Sequence, residues 1–382
     1  MIIRGINNVN RNSVCHVSTV HDPDDTRIVI RECSSLSGDY HVHLVCRSGH
    51  SVEVSFERHL LPVVSSRIKR VIMLIPLALI KAYRTKAFVI HLHDPELYFL
   101  SPLLKLCGRR VILDIHENYN VTISKKKYLK RGYAVLLEWV MKLYLRFTLP
   151  TANAIILAWP ALEDVFLGYN PKRIVVRNLP RLEETHRTIK PGRESLSDRK
   201  FVYLGLINEA RGALKLFEWV DLYRKRTGNT LRIDFYGKIA KEFEPKFTDC
   251  IEKCPSVHYN GIVRSSEVES VLDKYDFGFV FFSNIRNHLY SEPNKLFEYY
   301  RSGVVPICSN LPRMNEIIGD SQSGLVVNLS SSLGIGIDEF INLFSNENNI
   351  NEHIQNGYNY LLNNNWQKEY EKLKKLYDEI LD

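Results

Sequence analysis

The second half of the 382-residue chain alternates short apolar runs with helix-like segments, and this alternation constrains the fold more than any other feature. Six such units follow one another, with strands predicted at residues 201–205, 231–236, 257–259, 277–282, 304–309 and 324–327. Strands that alternate with helical patterns form βαβ units, which build a parallel sheet covered by helices. The sequence therefore predicts a doubly wound α/β domain in this half.

The first half repeats the pattern and places polar side chains where its predicted strands end. Two neighbouring strands, at 88–92 and from 110 onward, would deliver one set of titratable groups to the same sheet edge: His93, Asp94, Glu96, Asp114, His116 and Glu117. Such a convergence marks a candidate site. The loop after the first strand, 13–18, adds His21, Asp22 and Arg27 as candidates. A helix start capped by Asp24 or Asp25 explains that loop equally well.

The boundary between the two halves is predicted in a polar stretch without periodicity. It contains Pro191-Gly192 and lies within residues 178–200. A chain of this length is also expected to form two hydrophobic cores, and hence two domains. We predict an N-terminal domain at 1–178, a linker at 179–200, a C-terminal domain at 201–365, and a terminal helix at 366–382 able to pack back on the N-terminal domain.

One helix of the second half carries the clearest chemical signal. Pro293 suits its first turn, and Gly303 suits the left-handed residue just past its end. Asn294, Lys295 and Glu298 can share a face that is free for chemistry. The positive helix N-terminus and Lys295 favour a phosphate. Glu298, one turn deeper, could accept hydrogen bonds from a ribose diol. The pattern predicts a nucleotide-sugar site.

Arg211 is predicted to lie at the same site. It follows the strand at 201–205, in a loop at that strand's carboxyl end. In a parallel sheet this loop would point at the crevice that holds Lys295. A guanidinium group suits a diphosphate.

Charge is distributed unevenly along the chain. Residues 1–180 contain 25 Lys and Arg against 14 Asp and Glu, whereas residues 181–382 contain 26 against 29. A basic half attracts an anionic bilayer or an anionic small molecule, unless the bias is incidental. The basic run at 125–131 precedes an apolar, aromatic helix, which is typical of a protein that rests on an anionic membrane. The alternative is an ordinary helix that begins with basic residues and turns its apolar stripe toward the core. Nucleic-acid binding is disfavoured, because no recognisable motif accompanies the basic residues.

The sequence also predicts a reducing, cytoplasmic setting. The chain has no apolar run of the roughly eighteen residues that a membrane span needs. Its first eleven residues lack the apolar core of a signal peptide, and its seven cysteines are scattered singly. The histidines and carboxylates at the strand ends could also be metal ligands. However, position 120 is Asn, where the second His of an HExxH motif would stand, so no metal is predicted.

Four motifs, in this order over roughly residues 13–330, resemble glycosyltransferase family 4, of the GT-B fold, and its bacterial surface-polysaccharide branch. They are His93-Asp94-Pro95-Glu96-Leu97, Asp114-x-His116-Glu117, Tyr203-x-Gly205 followed by Arg211-Gly212, and Pro293-Asn294-Lys295-x-x-Glu298-Tyr299 with Gly303. The resemblance implies two doubly wound, Rossmann-like domains facing across a cleft. It also implies a metal-independent, retaining transfer of the hexosyltransferase type, with a nucleotide-diphosphate sugar as donor and no cofactor.

The resemblance also implies roles for particular residues. Arg211 and Lys295 would neutralise the diphosphate leaving group, and His116 would orient the reacting sugar or the acceptor hydroxyl. The remaining donor-binding residues would be Glu298, Asn294, Pro293, Gly205 and Glu292. The acceptor or donor-sugar candidates would be His93, Asp94, Glu96, Asp114, Glu117, His21 and Asp22.

Two positions depart from the family pattern. Tyr290 stands where the first glutamate of a pair is expected, and Leu206 stands where a basic residue often follows the loop glycine.

The acceptor implied by the resemblance is a polyprenyl-diphosphate-linked glycan, such as O-antigen or capsule, at the inner face of the plasma membrane. The alternatives on this architecture are a sugar-nucleotide epimerase and a non-catalytic nucleotide-sugar-binding subunit.

Overall fold

The computed structural model describes residues 9–49, 53–64, 66–118, 131–170, 172–182, 196–330 and 333–382. The chain divides into two compact units. The first consists of Met1–Asn178 with Trp366–Asp382, and the second of Leu179–Asn365. The Pro191-Gly192 turn and the basic run at 125–130 lie outside the described residues.

The first unit is built on a seven-stranded sheet in which every described pair is parallel. Its strands are β1 (Asn10–Val17), β2 (His41–Arg47), β3 (Glu57–Leu61), β4 (Ala87–Leu92), β5 (Arg110–Ile115), β6 (Ala154–Leu157) and β7 (Arg173–Val175), in the order β3-β2-β1-β4-β5-β6-β7. The inner strands β4, β5 and β6 are mostly apolar, as expected for strands buried on both faces. Strand β3 at the sheet edge was not predicted.

Helices cover the faces of the first sheet. They are α1 (Ser34–Leu36), α2 (Arg67–Lys69), α3 (Ile75–Arg84), α4 (Ser101–Leu106), α5 (Arg131–Thr148) and α6 (Leu162–Phe166), with π-helices at Thr26–Cys33 and Arg70–Leu74 and 3₁₀ turns at Pro95–Leu100 and Leu149–Thr151. The helix predicted after the first strand is therefore confirmed, but its first eight residues are π-helical. A π-helix of this length is rare, since most are single turns inside α-helices, often at functional sites.

The second unit contains the six strands that the alternation predicts, each within two residues of its expected bounds. They are β8 (Lys200–Leu204), β9 (Arg232–Tyr236), β10 (Val257–Tyr259), β11 (Phe277–Val280), β12 (Val305–Ser309) and β13 (Leu325–Val327), all parallel, in the order β10-β9-β8-β11-β12-β13. This is the doubly wound order in which ligands bind at the carboxyl ends of the strands, where the strand order reverses.

The helices of the second unit pack on both faces of its sheet. They are α7 (Ala213–Thr227), α8 (Glu244–Glu252), α9 (Val268–Leu272), α10 (Arg286–Leu289), α11 (Asn294–Arg301), α12 (Pro312–Ser321), α13 (Leu333–Phe344) and α14 (Glu347–Asn363), with 3₁₀ turns at Leu196–Asp198 and Ser265–Glu267. The last helix, α15 (Trp366–Leu381), belongs to the first unit, where Trp366, Leu373 and Tyr377 join the core on one face of the first sheet. None of the described helices is long and apolar enough to cross a membrane.

Helix α11 has the predicted start, stop and following strand, with one shift. Pro293 lies just before the helix, with extended backbone (ψ 129°), rather than in its first turn. Gly303 takes the predicted left-handed conformation (φ 61°) after the helix ends. Strand β12 then runs fully buried.

Candidate functional site

The carboxyl edge of the second sheet is shaped by glycine. Gly205 follows β8 with φ 115°, and Gly237 follows β9 with φ 138°, a backbone region that side-chain-bearing residues rarely adopt. The two loops touch, because a Cβ on Gly237 would lie 1.9 Å from the carbonyl oxygen of Gly205. Backbone atoms rather than side chains therefore line this part of the edge, next to the loop that carries Arg211.

The side chain of Lys295 is buried at this edge among aromatic rings. Its Nζ lies 3.9 Å from the ring centre of Tyr203 and 5.5 Å from that of Phe282. Only 6% of the residue is exposed, and Nζ has no hydrogen-bond partner among the residues that the structure describes. Burial, together with the nearby charge of Arg211, holds the pKa of Lys295 well below its usual value. The stem of Lys295 is thus packed into the fold, on the helix that was predicted to carry a face free for chemistry.

Arg211 lies beside the same aromatic rings, at the end of a fixed loop. Its guanidinium carbon is 5.7 Å from the ring centre of Phe282. The Tyr203 hydroxyl donates to the carbonyls of Leu206 (2.9 Å) and Arg211 (3.2 Å), and the Arg211 amide donates to Asn208 Oδ1 (2.8 Å). Arg211 and Lys295 thus place two basic groups around Tyr203 and Phe282. This arrangement can bind a dianion.

The remaining predicted donor residues lie on or next to α11. Glu298, one turn after Asn294, is partly exposed, as a group that contacts a ligand must be. Glu292 pairs with Arg313, whose Nε and Nη2 donate to its Oε1, so its carboxylate is already engaged within the fold. Tyr290 and Leu206, which replace expected charged residues, are 45% and 36% exposed.

The first sheet carries a buried polar cluster with Asp114 at its centre. Arg27 donates to both Asp114 oxygens, at 2.9 and 2.8 Å. His93 Nδ1 and His116 Nε2 lie 3.1 and 2.7 Å from Oδ2. Burial alone would raise the pKa of Asp114, but the Arg27 and His116 charges outweigh it and hold the pKa well below its usual value. The carboxylate is therefore ionised and fully engaged.

Several predicted acceptor-site residues are buried or paired within the first unit. His93 and Asp94 are only 1% and 2% exposed. Asp94 joins β1 to β4 by accepting hydrogen bonds from Ser18 and Thr19. Two other predicted residues form ion pairs: Glu96 pairs with Arg70, and Asp22 pairs with Arg47. Of the two cap candidates, Asp25 rather than Asp24 caps the π-helix, by accepting from the Arg27 and Ile28 amides.

His21, His116 and Glu117 remain accessible at this edge. The His116 side chain is 18% exposed and that of His21 is 29% exposed, with their ring centres 5.4 Å apart. Glu117 is exposed. Burial would lower the pKa of His21, but its hydrogen bond to Asp25 and nearby carboxylates raise it overall. These residues could contact a polar ligand, with His116 oriented from below by Asp114.

Sequence reasoning missed three residues of the buried cluster: His16, Glu32 and His91, each with 0% exposure. His16 and His91 stand on otherwise apolar strands, where an imidazole costs free energy unless it has a partner. A histidine on an apolar strand was therefore a signal in the sequence that a buried partner exists. The sequence could not identify that partner, because the partners come from distant parts of the chain. Glu32 lies on the core-facing side of the π-helix, with Cys33, Val29 and Ile28.

Comparison with known proteins gives matches in structure only. No family model matches the chain, and no curated protein matches its sequence. Sucrose-phosphate synthase from Thermosynechococcus elongatus aligns over 97% of this chain and 99% of its own, with 11% identity and a TM-score of 0.71. A glycosyltransferase from Rickettsia africae aligns over 98% and 99%, with 13% identity and a TM-score of 0.70. Anabaena HepE, in complex with UDP and glucose, aligns over 96% and 99%, with 8% identity and a TM-score of 0.67.

At these identities the likeness concerns the fold alone. It extends over nearly the full length of both chains in each case. Two parallel sheets covered by helices agree with it. The chain is an α/β protein of the GT-B fold.

Proposed function

We propose that this protein is a glycosyltransferase that uses a nucleotide-diphosphate sugar as donor and binds it at the carboxyl edge of the second sheet. The observation that carries the proposal is the buried, unpartnered Lys295 in the first turn of α11. A buried ammonium group without an anion is costly, and a diphosphate at the helix N-terminus would supply the missing partner. The fold shared with HepE, which was solved with UDP and glucose, supports the same ligand class.

The residues around Lys295 suggest how the transfer would be promoted. When the sugar leaves, negative charge develops on the nucleotide diphosphate. Lys295, Arg211 and the N-terminal amides of α11 would stabilise that charge, in a site where partial burial strengthens electrostatic interactions. Glu298, one helical turn along, would accept hydrogen bonds from the ribose hydroxyls. Asn294, Pro293 and Gly205 would shape the phosphate-binding edge.

The acceptor is assigned to the first unit, where His116 would orient the reacting sugar or the acceptor hydroxyl. His116 Nε2 donates a hydrogen bond to Asp114, which fixes the ring in the way that an orienting imidazole needs. Retention at the anomeric carbon, hexosyl transfer and independence from a catalytic metal belong to the same proposal. They rest on the motif resemblance.

A lipid-linked acceptor at an anionic membrane is part of the proposal because α5 exposes an unusual amount of apolar surface. Its exposed side chains include Val135, Leu136, Trp139, Val140, Leu143 and Phe147. Exposed Lys142 and Arg146 lie among them. Apolar and aromatic groups flanked by basic ones suit the surface of an anionic bilayer. Flotation with anionic and neutral vesicles tests this, and Trp139→Ser with Phe147→Ser should abolish anionic binding. Equal flotation of this variant would contradict it.

The donor site is tested by thermal unfolding with nucleotide diphosphates and by a transfer assay. Ligand at about a hundred times its dissociation constant stabilises by roughly 2.7 kcal/mol, so UDP should raise the melting temperature by several degrees. Glu298→Ala should reduce that shift, whereas the control Glu316→Ala, at an exposed position on α12, should not. An unchanged shift in Glu298→Ala would refute the ribose assignment.

The transfer assay pairs nucleotide sugars with polyprenyl-diphosphate glycans. Transfer increases the mass of the acceptor by one sugar, which an epimerase would not do. Nucleotide binding without transfer or donor hydrolysis would instead identify a binding subunit, the alternative that Tyr290 and Leu206 suggest.

A further inference from the structure

Three buried imidazoles meet on one face of the first sheet. His16 on β1 and His91 on β4 are direct neighbours in the parallel register. His93 follows two residues after His91 and so returns to the same face. The ring centres are 4.4 Å apart for His91 and His93, 4.6 Å for His16 and His91, and 5.2 Å for His16 and His93.

The π-helix brings a carboxylate to this group. Glu32 Oε2 lies 3.8 Å from His16 Nδ1, 4.0 Å from His91 Nδ1 and 3.9 Å from His93 Nε2. Neither oxygen of Glu32 accepts a hydrogen bond from the part of the chain that the structure describes, although the residue is fully buried. Its Oε1 forms an ion pair with Arg27 Nε, at 3.2 Å. Such a carboxylate lacks the partners that burial normally requires.

We propose that His16, Glu32, His91 and His93 bind a divalent transition-metal ion of the zinc class. Zinc bonds of about 2.0–2.2 Å at a tetrahedral angle place neighbouring ligand atoms roughly 3.4 Å apart. Four of the six separations here run from 2.9 Å, between His16 Nδ1 and His93 Nε2, to 4.0 Å, between Glu32 and His91, and all six stay within 4.8 Å. Three imidazoles and one carboxylate are a ligand set that zinc accepts.

The groups behind the ligands support this assignment. His93 turns its other nitrogen, Nδ1, to Asp114 at 3.1 Å, and His16 turns Nε2 to the Tyr377 hydroxyl at 3.4 Å. A metal-bound histidine usually donates its second ring nitrogen to a carboxylate or another oxygen in this way. Metal binding at His91 Nδ1 would displace the Tyr377 hydroxyl, now 2.7 Å away, which would keep His16 as its partner. Asp114 itself is not a ligand, because Arg27 occupies both of its oxygens.

The site would be structural rather than catalytic. All four ligands are buried to 1% exposure or less, so no position is open to water or substrate. The ion would fasten the π-helix to β1 and β4. The proposal is independent of the sugar-transfer function, and its test uses no transfer assay.

The metal content of the full chain tests the proposal. After expression with added zinc, the purified protein should hold about one ion per chain, as a closed four-ligand site does. Glu32→Gln and His91→Gln should lower the metal content by at least about tenfold. Loss of a residue that only supports a ligand already weakens metal affinity on this scale, and these two residues are proposed as direct ligands. Expression with cobalt should give the visible absorption of tetrahedral Co²⁺ without a thiolate band. Absence of bound metal in folded wild-type protein would overturn the proposal.

A second histidine group provides the matched control. His43 and His59 lie near Glu57, but that carboxylate is 58% exposed. His59→Gln should keep the metal. If metal were lost in His59→Gln and kept in His91→Gln, the proposal would be wrong.

If the buried-site variants do not fold, the wild-type chain still decides. A chelator in excess prevents rebinding of an ion released on unfolding, so it should lower the wild-type melting temperature. An unchanged melting temperature would overturn the proposal.

Discussion

The two sheets have the same strand order about their first strand, yet their carboxyl edges are built in opposite ways. In the first unit, side chains fill the edge, and Asp114, His93 and Arg27 satisfy one another below the surface. In the second unit, the backbone forms the edge, where the loops that contain Gly205 and Gly237 touch. One edge is closed by its own polar groups, and the other holds a buried lysine amine that has no hydrogen-bond partner among the described residues.

This difference separates stability from ligand binding. A polar cluster that is internally paired resists rearrangement, and removing one member leaves the others buried without partners. A buried cation without a partner destabilises the free protein and contributes only when an anion arrives. Substitutions at the first edge should therefore act mainly on unfolding, and substitutions at the second edge mainly on nucleotide binding.

The largest effect is expected from Asp114→Asn. The substitution keeps the size of the side chain but removes the charge of the carboxylate that accepts from Nε and Nη2 of Arg27, and breaking a buried ion pair costs about 3–5 kcal/mol. Chemical denaturation should show a loss of that order. The matched control is Asp338→Asn, which breaks an exposed pair with Arg226 and should cost at most about 1 kcal/mol. Equal losses in the two variants would contradict the role of Asp114 as a buried hub.

Lys295→Met should have the opposite profile. Methionine replaces the ammonium group with an apolar one of similar length, so the free energy of unfolding should stay the same or increase. Donor turnover should fall by about 10²–10³, the cost of removing one preorganised group that stabilises developing charge. Lys215→Met, at an exposed helix position, controls for a general loss of charge. A stability loss with unchanged UDP binding would contradict the comparison of the two edges.

Gly237→Ala tests whether the backbone shapes the second edge. The residue lies in a region of φ that costs about 1–3 kcal/mol for other residues, and the new Cβ would also meet the Gly205 carbonyl. The matched control is Gly228→Ala, which has φ 74° but no atom within 4 Å of the new Cβ. Denaturation should show the larger loss in Gly237→Ala, with weaker UDP binding in that variant alone. Equal UDP binding in both variants would show that the contact does not shape the site.

Much of the second unit could be read from the sequence because its signals are local. The alternation of strands and helices, the stop at Gly303 and the polar face of α11 all depend on neighbours within a few residues. The burial of Lys295 could not be read this way. It depends on Tyr203 and Phe282, which reach α11 from strand ends elsewhere in the sheet.

The first unit was harder to predict because its cluster is assembled over long separations. His16 and His93 are 77 residues apart, and Tyr377 reaches His91 across 286. Strand β3 was missed since Glu57, Arg58 and His59 give it no apolar signal, which is tolerable at a sheet edge. The motif residues were found, but sequence alone could not distinguish the buried His93 and Asp94 from the accessible His116.

The smallest expected effect is the uptake of a proton when UDP binds. It follows from the burial of Lys295, whose amine has no hydrogen-bond partner among the described residues. Burial keeps the pKa of Lys295 well below its value in the unfolded chain. Between those two values the unfolded chain binds more protons, so the stability of the free protein should rise with pH in that window. A bound diphosphate favours the charged ammonium and should raise the pKa again. Calorimetry in buffers of different ionisation enthalpy should then show uptake of up to one proton per chain.

Lys295→Arg provides the matched comparison, since a guanidinium stays charged in both the free and the bound protein. Its proton uptake should be smaller than that of the wild type, and the difference cancels the ionisation of the nucleotide itself. Asp114→Asn alters only the first unit and should leave the uptake unchanged in the protein that remains folded. If Lys295→Arg took up as many protons as the wild type, the buried lysine would not be the group that meets the diphosphate.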